Sequence, residues 1–167
     1  MPTFAYILPS PIGYLGLNTS AVGVAQLAYL AGKQTIKLPR QGLAYDVKQQ
    51  IEDYFAAKIT TFDLPLDLFG TDYQQQVWQY LQGIGYGCYQ TYGQIAKVLD
   101  SGARAVGNAC RHNPVPIIVP CHRVVRADAI GGYCGTISGR ARQQKDWLLR
   151  HELSKSLSLN RSQQDNQ

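Results

Sequence analysis

The chain of 167 residues has a single methionine, three histidines and four cysteines, and these scarcities exclude several function classes. Cys88, Cys110, Cys121 and Cys134 are spaced by 22, 11 and 13 residues. None forms the C-x-x-C pair of a zinc or redox motif, and the histidines are only His112, His122 and His151, so no metal site is expected. The first 87 residues carry neither cysteine nor histidine. No basic segment leads into an apolar core at the start, so no signal peptide is expected. The most apolar stretch, Ala21 to Gly32, is too short to span a bilayer and holds Gln26. A reducing, cytoplasmic setting is therefore expected, and it suits a working thiol.

Acidic residues are the other shortage, and it is local. Up to Asp67 there are five Lys/Arg against five Asp/Glu; from Leu68 onward there are eleven against six, so the whole excess of five lies there. A neutral first part beside a basic second part points to a polyanion partner, DNA before others.

What is present centres on Asn113 to Val125. Pro114, Pro116 and Pro120 fix φ and remove donors, which predicts a stiff, extended approach. Ile117 to Val119 reads as a buried strand or strand-like plug. It delivers Cys121 beside His122 and Arg123, cationic groups of the kind that favour a thiolate. Against this, a free cysteine after an apolar run is usually a small core hydrophobe, and neighbours in an extended segment point opposite ways.

In chain order, Phe4 to Ile7, Tyr14 to Leu17 and Val22 to Leu30 read as strands, and Gly42 to Lys58 as a helix with Val47, Ile51, Tyr54 and Phe55 on one face. Leu64 to Leu68 is a last strand or a linker. Thr71 and Gln74 have capping-box spacing and open a helix through Gln82; Thr91 and Gln94 repeat it and open one to Leu99. Asp100 to Gly102 is a turn before a helix from Ala103 to His112, which together fit a helix-turn-helix. Ile130 to Gly135 reads as a flexible loop, Arg140 to Leu153 as the final helix, and Ser154 to Gln167 as a disordered tail.

Pro120-Cys-His-Arg-Val124 resembles the active-site signature of the O6-alkylguanine-DNA alkyltransferases. Asn113-Pro-Val-Pro116, Ala103-Arg-Ala-Val-Gly107, Gln74-Gln-Gln-Val-Trp78, Thr91-Tyr-Gly-Gln-Ile-Ala96 and Trp147-Leu-Leu-Arg-His-Glu152 resemble that family too, in the same order. The likeness is close from about Leu66 to Glu152. It implies a supporting α/β domain over 1–66 (small sheet plus helix, ribonuclease-H-like). A mostly α, winged-helix-like alkyltransferase and DNA-binding domain follows over 67–153, with the tail over 154–167. The N-terminal zinc of some relatives is not carried over.

The resemblance implies irreversible, one-turnover transfer of an alkyl group from O6 of guanine, and from O4 of thymine, in double-stranded DNA to Cys121, without a cofactor, by a monomer. His122 would be the base, oriented by Glu152, with His151 a rival partner; Asn113 would tie the helix-turn-helix to the active-site segment. The target atom sits inside the duplex, so the base must be flipped out. Its pocket would include Tyr92, donating to the purine, with Cys110, Pro116, Val124, Tyr133, Cys134 and Gly135. On its residues alone the helix of Ala103, Ala105, Gly107 and Ala109 is better read as core packing, since it has few base-reading side chains. The resemblance implies instead that it enters the minor groove, with Arg104 filling the flipped nucleotide's place. Arg111 would contact phosphate, and Ala103, Gly107 and Thr71 would also touch DNA.

Departures are Tyr73 where phenylalanine is common, Gly85 where proline is, Cys134 where a small polar residue is, Thr136 where a second glycine is, and a longer 135–144 stretch. Two rival readings are a non-catalytic alkyltransferase-like lesion binder, which would lack the cysteine, and a helix-turn-helix regulator, which would want base-reading side chains and a dimer interface. A generic cysteine hydrolase would leave the basic domain unexplained.

Overall fold

A computed structural model describes residues 2–128 and 139–164. It divides into two compact units: 1–70 with 114–118, and 71–113 with 119–167. The second unit thus begins at Thr71, and five residues of the proline-rich stretch cluster with the first.

The first unit is an antiparallel meander, β1 (Tyr6–Ser10), β2 (Gly13–Thr19) and β3 (Val24–Leu30), with helix α1 (Gly42–Phe55). Leu8, Leu15, Leu17, Val24 and Leu27 form one buried face against Ala44, Val47, Ile51 and Tyr54 of α1, the period-two and helical spacings that the residues predict. β1 begins two residues later than expected because Phe4 turns onto β2. A Cβ on Gly16 would lie 2.4 Å from the Phe4 ring. α1 stops at Phe55 rather than Lys58 because Ala57 turns left-handed (φ 57°) and Lys58 N–H returns to the Asp53 carbonyl at 2.8 Å, a cap in which glycine would be less strained. The segment expected as strand or linker makes a single parallel bridge, Leu66 to Val24. Pro114 accepts from the Leu27 N–H at 2.9 Å.

The second unit contains α2 (Asp72–Gln82), β4 (Gln90–Thr91), α3 (Tyr92–Val98), α4 (Ala103–Arg111), a single 3₁₀ turn (Cys121–Arg123), β5 (Val124–Val125) and α5 (Gly139–Gln164). Both capping boxes form: the Thr71 and Thr91 side chains accept from Gln74 and Gln94 N–H, and each glutamine returns a bond. β4 and β5 pair in parallel. The Trp78 indole, fully buried, donates to the Ala109 carbonyl at 2.8 Å and fixes α2 against α4. Trp78→Phe removes that bond and leaves space, so it should lower unfolding free energy by about 1–3 kcal/mol, read from a urea titration; no change would show that the contact is dispensable.

Two expectations are corrected. The run from Val115 to Val125 is buried throughout, as a plug should be, but 116–118 is a turn rather than an extended strand. Ile117 takes φ 75°, a costly conformation for a β-branched residue that surrounding packing must impose. The final helix does not end at Leu153, where a disordered tail was expected, but continues through Gln164. Leu, Lys, Gln and Arg are good helix formers even without an apolar face, and Ser156 packs where any side chain on Gly87 would have to go.

Candidate active site

Asn113, just past α4, sends its amide to both ends of the same short segment: Nδ2 donates to the Val119 carbonyl at 2.8 Å and to Cys121 Sγ at 3.1 Å. The thiol stands at the start of the 3₁₀ turn and is 4 % exposed. The next two residues fold back onto one carboxylate. His122 Nε2 lies 2.7 Å from Glu152 Oε1. Arg123 grips both oxygens of Glu152, Nε to Oε2 and Nη2 to Oε1, each at 2.9 Å, and gives its remaining amine to the Ile84 carbonyl. Gly87 N–H completes the shell at 3.3 Å from Oε2. The glycine is needed there, since its φ is +74°.

Burial alone would raise the Glu152 carboxyl. The hydrogen bonds from His122 and Arg123 and the Arg123 charge outweigh it and hold the group well below the usual carboxylate range. Burial also lowers His122, and the nearby Arg123 and Lys145 charges add to that; Glu152 opposes but does not win. His122 is therefore neutral near pH 7, with Nε2–H donated to Glu152 and Nδ1 left basic. Nδ1 is buried and has no hydrogen-bond partner among the described residues, so it is available to take a proton.

Tyr92 and Cys110 stand near the thiol. Burial, reinforced by the neighbouring Cys110 and Cys121, pushes the Tyr92 phenol well up, so it remains a donor. Burial likewise pushes up the Cys110 thiol. A Cβ on Gly107 would be 3.8 Å from the Tyr92 ring, so this face of α4 packs on α3 while Ala103 and Arg104 at its start are exposed.

A family model described as "6-O-methylguanine DNA methyltransferase, DNA binding domain" matches residues 72–154. The methylated-DNA–protein-cysteine methyltransferase of Methanosarcina acetivorans is 38 % identical over 153 residues, covering 87 % of this chain and 96 % of that one. The chain belongs to the methylated-DNA–protein-cysteine methyltransferase family. A crystal structure of the Mycobacterium tuberculosis O6-methylguanine methyltransferase superposes with a TM-score of 0.76 at 39 % identity, over 89 % of this chain and 92 % of that one. A second, described as Mycobacterium tuberculosis OGT in complex with DNA, gives 0.75 at 40 % identity, over the same shares.

Within this methyltransferase fold, the structure brings Cys121, His122, Asn113 and Glu152 together, with Tyr92 beside them. His151, the rival partner, stacks instead on Trp147 at 4.8 Å. Val124 is buried in β5, and its carbonyl accepts from Lys145 Nζ. Thr71 and Arg111 are exposed at the ends of α2 and α4, and Pro116 is buried in the segment that clusters with the first unit. Tyr133, Cys134, Gly135 and Thr136 lie outside the described residues.

Sequence reasoning missed two residues. Arg123 was read only as a nearby cation, although it clamps Glu152. Lys145, fully buried, also sits 5.7 Å from the Tyr92 ring centroid. Its signal was available: Lys145, Leu148 and Glu152 recur at i, i+3 and i+7, the spacing of one helix face.

Proposed function

We propose that this chain repairs alkylated double-stranded DNA by moving a methyl or other alkyl group from O6 of guanine, and from O4 of thymine, onto Cys121. The arrangement of Cys121 beside the buried His122–Glu152 pair, 2.7 Å apart, carries this reading. His122 Nδ1 takes the thiol proton, directly or through one water. The thiolate then attacks the alkyl carbon, the C–O bond breaks, and the electron pair leaves on the base, toward which Tyr92 donates a hydrogen bond. Glu152 keeps the imidazole oriented and stabilises it when charged, and Asn113 Nδ2 holds the sulfur in position.

The product is a thioether, which water does not cleave as it cleaves an acyl-enzyme, so each molecule works once. The exposed start of α4 supports entry of Arg104 into the duplex in place of the flipped nucleotide. Thr71, Ala103, Gly107 and Arg111 supply further DNA contacts, and Val124 lies against the flipped base. The chain acts as a monomer without a cofactor in the cytoplasm, where its thiols stay reduced. Among the described residues no helix is long and apolar enough to cross a membrane.

Intact mass after incubation with duplex carrying O6-methylguanine tests this. The expected gain is one methylene mass on the Cys121 peptide, saturating at one per protein. Retained binding with no gain would leave a non-catalytic lesion binder.

A further inference from the structure

The helix-turn-helix has a weak point in its own backbone. The turn between α3 and α4 is only Leu99 to Gly102, and Asp100 adopts φ 48°, which costs a non-glycine residue energy. The N-cap of α4 is Gly102, which offers no side-chain cap, so the first turn lacks the stabilisation that Thr71 and Thr91 give α2 and α3. The turn is instead held from outside. Ser101 N–H bonds back to the Ala96 carbonyl at 2.9 Å, and the Ser101 hydroxyl meets the Tyr73 hydroxyl at 2.8 Å. Tyr73 lies in the first turn of α2, two residues after Thr71. One half-buried hydroxyl pair thus joins the beginnings of the two helices that carry exposed Thr71 on one side and exposed Ala103 and Arg104 on the other.

We propose that Tyr73 and Ser101 form a latch that fixes the start of α4 relative to the start of α2, making them positioning residues for duplex binding rather than for alkyl transfer. The proposal rests on the DNA-repair reading above. The hydrogen bond that makes the latch joins Tyr73 to Ser101, not to Cys121, His122 or Glu152. Its effect is to pre-organise the helix start that must enter the duplex, so that binding does not have to order it. The phenol is the part that matters: phenylalanine keeps the ring and its packing and loses only the hydroxyl.

The test uses the full chain with Tyr73→Phe, Ser101→Ala and both together. Each single change should weaken binding to the O6-methylguanine duplex about three- to tenfold, the range expected for one lost hydrogen bond. The double change should cost no more than the larger single one, because the two hydroxyls act as one unit. Alkylation of Cys121 by a free O6-alkylguanine base, which needs no duplex, should keep its parent rate. Unchanged duplex affinity in both single variants would overturn the latch. So would additive losses in the double variant, or an equal fall in free-base alkylation, either of which would mark a general loss of packing. Failure of the parent chain to take an alkyl group from either substrate would defeat the repair reading instead, and duplex affinity would still decide the latch.

Discussion

Cys121→Ser is expected to abolish alkyl uptake while the lesion duplex is still bound. A serine hydroxyl fits the same volume and can accept from Asn113, which now holds Sγ at 3.1 Å. It does not ionise near neutral pH, so His122 would have to remove a far more tightly held proton, and the transfer rate should fall at least about a thousandfold. The measurement is the mass gain over time for parent and variant with the same duplex. Cys110 is the internal control, because it is a buried thiol on the neighbouring helix and burial pushes its titration upward. It should not take the alkyl group when Cys121 is gone. Alkylation of the variant at the parent rate, on Cys110 or on exposed Cys88, would remove Cys121 from the reaction.

The second large effect is on stability. Glu152→Ala deletes an acceptor shared by His122, Nε and Nη2 of Arg123 and Gly87 N–H, and leaves a buried guanidinium without its counter-charge. Breaking a buried pair from one side costs about 3–5 kcal/mol, a large share of the 5–15 kcal/mol typical of a folded domain. Glu152→Gln keeps the volume and one acceptor, so it should lose less stability, yet it should still slow transfer because the charge behind His122 is gone.

Acid should act through the same cluster. Both Glu152 and His122 titrate lower in the folded chain than in the unfolded one. The unfolded chain therefore takes up protons first, and stability is present above the unfolded values and lost as pH falls. The loss should begin below about 6.5 as histidine charges in the unfolded chain and steepen below about 4. Urea titrations across that range check both statements. A Glu152→Ala variant within about 0.5 kcal/mol of the parent, or a parent flat between neutral pH and 4, would show that the cluster stores no such energy.

Much of this was legible in the sequence where the signal is local. The capping boxes at Thr71 and Thr91 depend on one hydroxyl and one glutamine three residues on, and both formed. The apolar periods of β2 and α1 identified the faces that are buried. The unread parts depend on distant packing. No rule of local preference places isoleucine at φ 75°, so Ile117 made 116–118 look extended when it is a turn. The 3₁₀ turn then brings the neighbouring His122 and Arg123 side chains onto one acid. Arg123 was harder to assign because a cation next to a reactive cysteine looks sufficient as a field, and only the folded chain shows each of its three nitrogens bonded to Glu152 or Ile84. Lys145 was missed because lysine on a helix normally faces water.

The segment 114–118 has a consequence for synthesis. A ribosome releases residues in order, and the first unit keeps the Leu27 N–H waiting for a carbonyl that is made 87 residues later, on Pro114. The early sheet and α1 can collapse, but that unit cannot finish until the 71–113 part of the second has been made. A fragment ending at Gly70 would carry an unfilled slot lined by β3, and the two halves are better regarded as one folding transaction than as separable modules.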